Sequence, residues 1–108
     1  MARLNFEVPN TLPVDDAKQR VEALLTYWQR KYGIAATWTG ASAKLTGKAM
    51  GVSIDASLNV EDRRIAGEGP DPGFLLRGQA TKYIQRKFGQ YLDPTTPLDE
   101  LKRRADGE

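Results

Sequence analysis

The sequence predicts an α+β fold in which two helices pack on one face of an antiparallel sheet of four to five strands. Three observations support this prediction. Short segments alternate apolar and polar residues, as half-buried strands do; two longer segments have apolar residues at helical spacing; and turn-forming residues separate them. The expected order of elements is β-α-β-β-β-β-α, followed by a short C-terminal tail helix.

The first two elements are a strand and a long helix. The strand, over residues 4–8, alternates apolar and polar residues and ends at Pro9. From Pro13 the spacing becomes that of one helix face, whose apolar residues are Ala17, Val21, Leu24, Leu25, Trp28 and Tyr32. Gly33 follows, and glycine most easily adopts the left-handed conformation at a helix C-terminus. We therefore predict a helix that ends at Tyr32.

Four strands are predicted to follow this helix. Residues 34–39 alternate again, and the next two segments fit a hairpin with a two-residue turn at Met50 and Gly51. This register pairs apolar residues or glycine on one face, and the pairs are Ala49 with Val52, Gly47 with Ile54, Leu45 with Ala56 and Ala43 with Leu58. A shift by one residue would expose this set to water, so the register is well specified. A tight connection at residues 61–62 then leads into a last strand over residues 63–69.

The second helix is predicted to follow Asp71, a good N-cap, and to end near Leu92. Its core-facing residues are Leu76, Ala80, Ile84, Phe88 and Tyr91. We interpret residues 1–92 as a single α+β domain and residues 93–108 as a C-terminal tail. The segment 96–99, Thr-Pro-Leu-Asp, is typical of a capped helix start and predicts a short helix in this tail that reaches Ala105.

Composition restricts the chemistry that the chain can perform. It has no Cys and no His, which removes thiolate nucleophiles and the side chain that most often serves as a general base or metal ligand. We therefore expect no enzyme, no cofactor and no metal site. No apolar segment approaches the roughly 18 residues of a membrane span, and the N-terminus lacks a secretory pattern. We expect a cytoplasmic protein without a transmembrane segment.

Two conventional sites are disfavoured. The glycine-rich segment 67–73 precedes a helix, but its two prolines delete backbone donors and Asp71 adds negative charge where a phosphate would lie. Asp55 and Glu68 lie on neighbouring predicted strands and could form an acid–base pair. Both face away from the core, beside three cations expected to pair with them, namely Lys44, Lys48 and Arg64. A solvated, charge-balanced sheet face is the simpler interpretation.

The second helix has the most one-sided charge in the chain. Between Gly73 and Leu92 it contains no Asp or Glu, and its cations are Arg77, Lys82, Arg86 and Lys87. At its start lies an apolar cluster wider than one core stripe needs, formed by Phe74, Leu75 and Leu76. The cations form either a solvated face or a surface for a polyanion or an acidic partner protein. No base-reading residues accompany them, so sequence-specific recognition of nucleic acid is disfavoured.

Parts of the chain resemble a known family. The run from Lys44 to Val60, followed by Arg64-Ile65 and by the Gly-Phe-Leu-Leu segment at residues 73–76, is similar to the polyhydroxyalkanoic acid system family. These small bacterial proteins are encoded in gene regions for polyester storage granules. The resemblance covers about residues 3–92 and implies association with the granule system. It implies no defined reaction and supplies no catalytic residues.

Two functions are therefore considered. The first is a non-enzymatic accessory protein of the polyhydroxyalkanoate system that binds at the granule surface or to a granule-associated protein. Its contacts would be Phe74, Leu75 and Leu76, with Arg77, Lys82, Arg86 and Lys87 as a charged rim. The alternative is a module that binds nucleic acid weakly and without sequence specificity through the same basic face, with a steep salt dependence. The sequence leaves open whether the chain forms oligomers through its polar sheet face.

Overall fold

The computed structural model describes residues 3–49, 52–70 and 77–107, and these contain five strands and three helices in the predicted order. The strands are β1 (Arg3–Pro9), β2 (Ala35–Thr39), β3 (Ser42–Ala49), β4 (Val52–Glu61) and β5 (Arg64–Pro70). The helices are α1 (Val14–Tyr32), α2 (Arg77–Tyr91) and α3 (Leu98–Gly107). The predicted α+β fold class is confirmed.

All five strands form one antiparallel sheet with the order β1-β5-β4-β3-β2. β1 and β2 follow each other in the chain as strands but lie at opposite edges of the sheet. The helix between them, α1, crosses one face and contacts both β4 and β2, while α2 contacts β1. The two helices thus cover different halves of the same face.

The β3–β4 hairpin has the register that the apolar pattern predicts. Ala49 lies opposite Val52, Gly47 opposite Ile54, Leu45 opposite Ala56 and Ala43 opposite Leu58. The predicted turn residues, Met50 and Gly51, lie outside the described residues. Of its inward-facing side chains, Ala43, Leu45 and Leu58 are buried in the core, as the period of two predicts, whereas Ile54 and Ala56 are only half-buried.

The β4–β5 turn lies one residue later than predicted. Glu61 is paired with Arg64 at the end of the ladder, so the turn consists of Asp62 and Arg63. Arg63 has a φ of 61°, a conformation that sequence patterns associate with Gly, Asn or Asp, and this explains the wrong prediction. Arg64 also makes ion pairs with Glu61 at 2.7 Å and with Glu7 on β1 at 3.3 Å.

The core lies between the helices and the inner face of the sheet. From α1 it receives the predicted stripe, except that Tyr32 is only half-buried, and the buried members are Ala17, Val21, Leu24, Leu25 and Trp28. Phe6 on β1 lies directly opposite Gly67 on β5 and covers it. A Cβ atom at Gly67 would lie 2.7 Å from Cδ2 of Leu58 and would also collide with the Phe6 ring. Glycine at this position therefore lets the Phe6 ring approach the backbone of β5 closely.

The C-terminal helix α3 packs on α1 and extends two residues beyond the predicted end at Ala105. Its Leu101 is fully buried in the common core. The connection from α2 is held by Arg20 on α1, whose guanidinium donates to the carbonyl oxygens of Tyr91 and Asp93. The division into a domain over residues 1–92 and a tail over residues 93–108 stays a prediction about independent folding.

Candidate interaction surface on helices α1 and α2

Helix α2 is buried unevenly along its length. Near its C-terminus Phe88 is 1% exposed, and its ring packs against Phe6 and Trp28 with centroid distances of 5.8 and 5.9 Å. Ala80 and Ile84 belong to the same predicted stripe but are only half-buried. The Ile84 side chain contacts the core on one side and reaches the protein surface on the other. The first two turns of α2 therefore present apolar surface that the core does not use.

The four predicted cations of α2 do not form one uniform face. Lys82 and Arg86 are four residues apart and both exposed, so they are neighbours on the outer side of the helix. Lys87 points towards α1, where its Nζ lies 4.7 Å from the centroid of the Tyr27 ring. Arg77 begins the helix and lies about 7.5 Å along its axis from Lys82. The structure thus brings Lys82 and Arg86 together and separates Arg77 from Lys87.

The predicted apolar cluster at the start of the helix, Phe74, Leu75 and Leu76, lies outside the described residues. So does the predicted N-cap, Asp71. In the chain the cluster immediately precedes Arg77, the first described residue of α2. Its part in an interaction surface stays a prediction.

Helix α1 extends the basic surface through a group that we call the Tyr27 cluster, made of Tyr27, Lys31 and Lys87. Lys31 Nζ donates a hydrogen bond to Tyr27 Oη at 3.0 Å, and both ammonium groups lie over the Tyr27 ring. The hydrogen bond from Lys31 lowers the pKa of Tyr27 and raises that of Lys31. A half-buried phenol whose hydroxyl lies beside an ammonium group can hydrogen-bond an anion.

The sequence patterns did not identify Tyr27 or Lys31 as candidate site residues. The available signal was the spacing of four residues between them, which places both on one side of α1. That signal does not include Lys87, which is distant in the chain and joins the cluster only because α2 packs beside α1.

A second polar contact joins the two helices at the edge of the core. Trp28 Nε1 donates a hydrogen bond to Tyr83 Oη at 3.2 Å, and the Arg86 guanidinium lies 5.6 Å from the Tyr83 ring centroid. Burial, together with an interaction with Tyr32, raises the pKa of Tyr83 to about 12. The Tyr83 hydroxyl is therefore neutral at physiological pH and fixes α2 against α1.

We expect the stability of the fold to fall as the pH rises from about 10 to about 12. The folded state keeps the proton on Tyr83 up to a pKa of about 12, whereas the unfolded chain releases it near a pKa of 10.0. The stabilising contribution is thus complete below pH 10 and is lost through this window. Urea unfolding at several alkaline pH values measures the effect. In Tyr83→Phe the free energy of unfolding should fall less steeply with pH. An equal pH dependence of the free energy of unfolding in wild type and Tyr83→Phe would contradict the role given to Tyr83.

The outer face of the sheet forms a groove of about 600 Å³. Hydroxyl and charged side chains line it, including Thr37, Lys44, Asp55, Ser57 and Glu68. Asp55 and Glu68 are both exposed there, as predicted, whereas catalytic acid–base pairs usually need a buried member. The groove offers hydrogen-bonding groups to a ligand but no arrangement typical of acid–base catalysis.

Within residues 3–49, 52–70 and 77–107, no three carboxylates come together in a way that could hold a metal ion. In the same ranges no helix is long and apolar enough to cross a membrane.

Comparison with protein-family models gives a match over most of the chain. The family model of the polyhydroxyalkanoic acid system proteins matches residues 4–94, a range that contains α1, α2 and the sheet except for Arg3, and ends before α3. No curated protein and no solved structure matches the chain.

Proposed function

Because the chain belongs to the polyhydroxyalkanoic acid system family, we propose that it is a non-enzymatic accessory protein that docks on the surface of polyhydroxyalkanoate granules. The family name associates the chain with the polyhydroxyalkanoate storage system. The docking surface is the N-terminal part of α2 together with the apolar cluster that precedes it in the sequence.

The observation that supports docking most directly is the incomplete burial of α2. Ala80 and Ile84 lie on the core-facing stripe, yet both keep part of their surface accessible. Phe88 and Tyr91 already anchor the helix, so a partner can cover Ala80 and Ile84 without pulling the helix off the core. Covering apolar surface contributes about 25 cal/mol per Å² removed from water, independently of salt.

The cations of α2 supply the second part of the surface. Lys82 and Arg86 are exposed on the outer side of the helix, within one turn of Ile84. A helix that lies at an interface typically has cations beside its apolar face, where they contact anionic groups of the surface that it binds. This part of the interaction weakens with salt because the charges are exposed.

The non-enzymatic role rests on the available side-chain chemistry. The chain contains no His or Cys, and the two carboxylates considered for catalysis, Asp55 and Glu68, are exposed on the outer sheet face. The docking helix lies on the opposite side of the sheet, so docking leaves that face open.

Co-sedimentation of the purified full chain with isolated granules at low and high salt tests the proposal. We expect binding that persists at high salt and that falls at least tenfold when Ile84→Ser is combined with Phe74→Ala and Leu75→Ala. Lys82→Ala combined with Arg86→Ala should weaken binding chiefly at low salt. The matched control, Lys102→Ala with Arg103→Ala, removes the same charge from the exposed side of α3 and should leave binding unchanged.

Two results would contradict surface docking. Absence of binding at both salt concentrations would refute it directly. Binding to native granules that disappears on protein-free polyester particles would instead assign the contact to a granule-associated protein. Binding to single-stranded nucleic acid that falls steeply between about 50 and 200 mM salt would support the alternative function of the basic face.

A further inference from the structure

We propose that the edge strand β2 pairs with the same strand of a second copy of this chain, which joins two five-stranded sheets into one continuous sheet. The inference concerns a different part of the molecule from the docking surface and does not depend on it. It rests on a difference between the two edges of the sheet, on the direction of the free backbone groups, and on the charges of α1.

The β1 edge is protected against strand pairing, whereas the β2 edge is not. β1 ends in Pro9, which has no backbone N–H, and carries the exposed carboxylate of Glu7. Charges and prolines are the usual means by which proteins block sheet edges. The five residues of β2, Ala-Ala-Thr-Trp-Thr, include no charge, no proline and no glycine.

The backbone hydrogen bonds show which groups of β2 point outward. Val60 N donates to Ala41 O, so the backbone N–H and C=O groups of Ala41 point towards β4. Those of the next residue, Ser42, therefore point towards β2. The direction of these backbone groups alternates from residue to residue along a strand, so those of Lys44 also point towards β2, where Lys44 is paired with Thr37. The N–H and C=O groups of Thr37 are therefore used inside the sheet, and those of Ala36 and Trp38 point out of its edge.

This arrangement fits an antiparallel, two-fold pairing centred on Thr37. Ala36 then lies opposite the partner subunit's Trp38. Both residues have backbone N–H and C=O groups that point out of the sheet edge, so roughly four backbone hydrogen bonds form around the two-fold axis. Ala36 and Trp38 are half-buried on the helix side of the sheet. A small side chain thus lies beside the large indole of the partner and leaves room for it.

Helix α1 adds charge complementarity above the paired strands. Lys18 on α1 lies over the β2 edge, with its Nζ 5.3 Å from the centroid of the Trp38 ring. Asp15 and Glu22 are three and four residues from Lys18 on the same side of the helix, and both are exposed. A two-fold axis at Thr37 makes α1 antiparallel to the partner's α1. Carboxylates of one helix therefore approach Lys18 of the other.

Sedimentation velocity of the full chain from micromolar to millimolar concentration tests the inference. We expect a concentration-dependent species of twice the 12.0 kDa monomer mass. Ala36→Pro removes an outward N–H without touching the internal ladder, since proline is tolerated at outward positions of edge strands, and should weaken the dimer at least tenfold. The matched control Asn5→Pro does the same at the β1 edge and should leave dimerisation unchanged.

The charges provide a second test that leaves the backbone intact. Glu22→Lys should weaken the dimer several-fold, and the swapped variant Lys18→Glu with Glu22→Lys should recover it. A wild-type chain that stays monomeric up to millimolar concentration would overturn the inference. So would a folded Ala36→Pro variant that dimerises as strongly as wild type, or an Asn5→Pro variant that becomes monomeric. If Ala36→Pro does not fold, equal dimerisation of wild type and Glu22→Lys overturns it.

Discussion

Replacing Phe88 by alanine is expected to lower the free energy of unfolding by about 3–5 kcal/mol. Phe88 is 1% exposed, and its ring contacts Phe6 of β1 and Trp28 of α1. Truncation removes buried apolar surface and leaves a cavity where α2 meets both the sheet and α1. Because these ring contacts hold the C-terminal half of α2 on the core, the substitution should destabilise the whole fold and not only the helix. We therefore expect Tm to fall by roughly 15 °C.

Chemical unfolding of Phe88→Ala, monitored by tryptophan fluorescence, measures this loss. Gln85→Ala, on the exposed side of the same helix, should change stability by less than about 0.5 kcal/mol and serves as the control. Phe88→Leu keeps most of the buried volume and should cost considerably less than the alanine variant. A loss below about 1 kcal/mol for Phe88→Ala would be incompatible with the described core.

The second large effect is expected for Arg20→Met, at about 2–4 kcal/mol. Arg20 is 5% exposed, and its guanidinium donates to the carbonyl oxygens of Tyr91 at 3.3 Å and Asp93 at 2.8 Å. These carbonyls lie at the C-terminal end of α2, where backbone carbonyl groups have no hydrogen-bond donor within the helix. A positively charged side chain at this end also interacts favourably with the helix dipole. Methionine fills a similar volume but leaves the acceptors without their donor.

The same guanidinium also bonds Asp16 at 3.2 Å, so a control must separate the two kinds of contact. The Asp16 side chain is 40% exposed, and exposed ion pairs contribute little. Asp16→Asn should therefore cost less than about 1 kcal/mol, and Arg20→Lys should lie between the two. Equal losses in Arg20→Met and Asp16→Asn would show that the ion pair, and not the link to residues 91–93, stabilises this junction.

The two proposals can be tested separately because they use opposite parts of the molecule. The docking surface lies on α2, which contacts β1, whereas the inferred dimer forms at β2 on the far edge of the sheet. Ala36→Pro should therefore leave each docking helix intact. A β2-paired dimer would place two docking helices at its ends. Loss of dimerisation should then reduce the avidity for granules without abolishing their binding.

The β3–β4 hairpin shows how much of the fold could be predicted. Its register followed from the apolar residues alone, because a period of two and a two-residue turn allow only one pairing that keeps the inner face dry. The next turn was misplaced by one residue, because Arg63 adopts a positive φ that its residue type disfavours. Local sequence patterns cannot predict a turn whose conformation is imposed by the strand pairing of β4 with β5.

The candidate interaction surface was only partly predictable. The absence of acidic residues from α2 identified the helix and its cations, all of which the structure places on α2. The sequence treated them as one face, whereas helix geometry puts Lys87 on the α1 side and Lys82 with Arg86 on the outer side. Tyr27 and Lys31 join this surface only through packing between helices that are distant in the chain.

The sequence by itself determined the elements, their order, the hairpin register and the buried stripe of α1, because each depends on the periodicity of a short segment. Tertiary structure alone decided that β1 and β2 become the two edges of the sheet and that α2 is buried only at its C-terminal end. It also decided that Arg20 links α1 to the end of α2. These features depend on contacts between residues far apart in the chain, which no local period encodes.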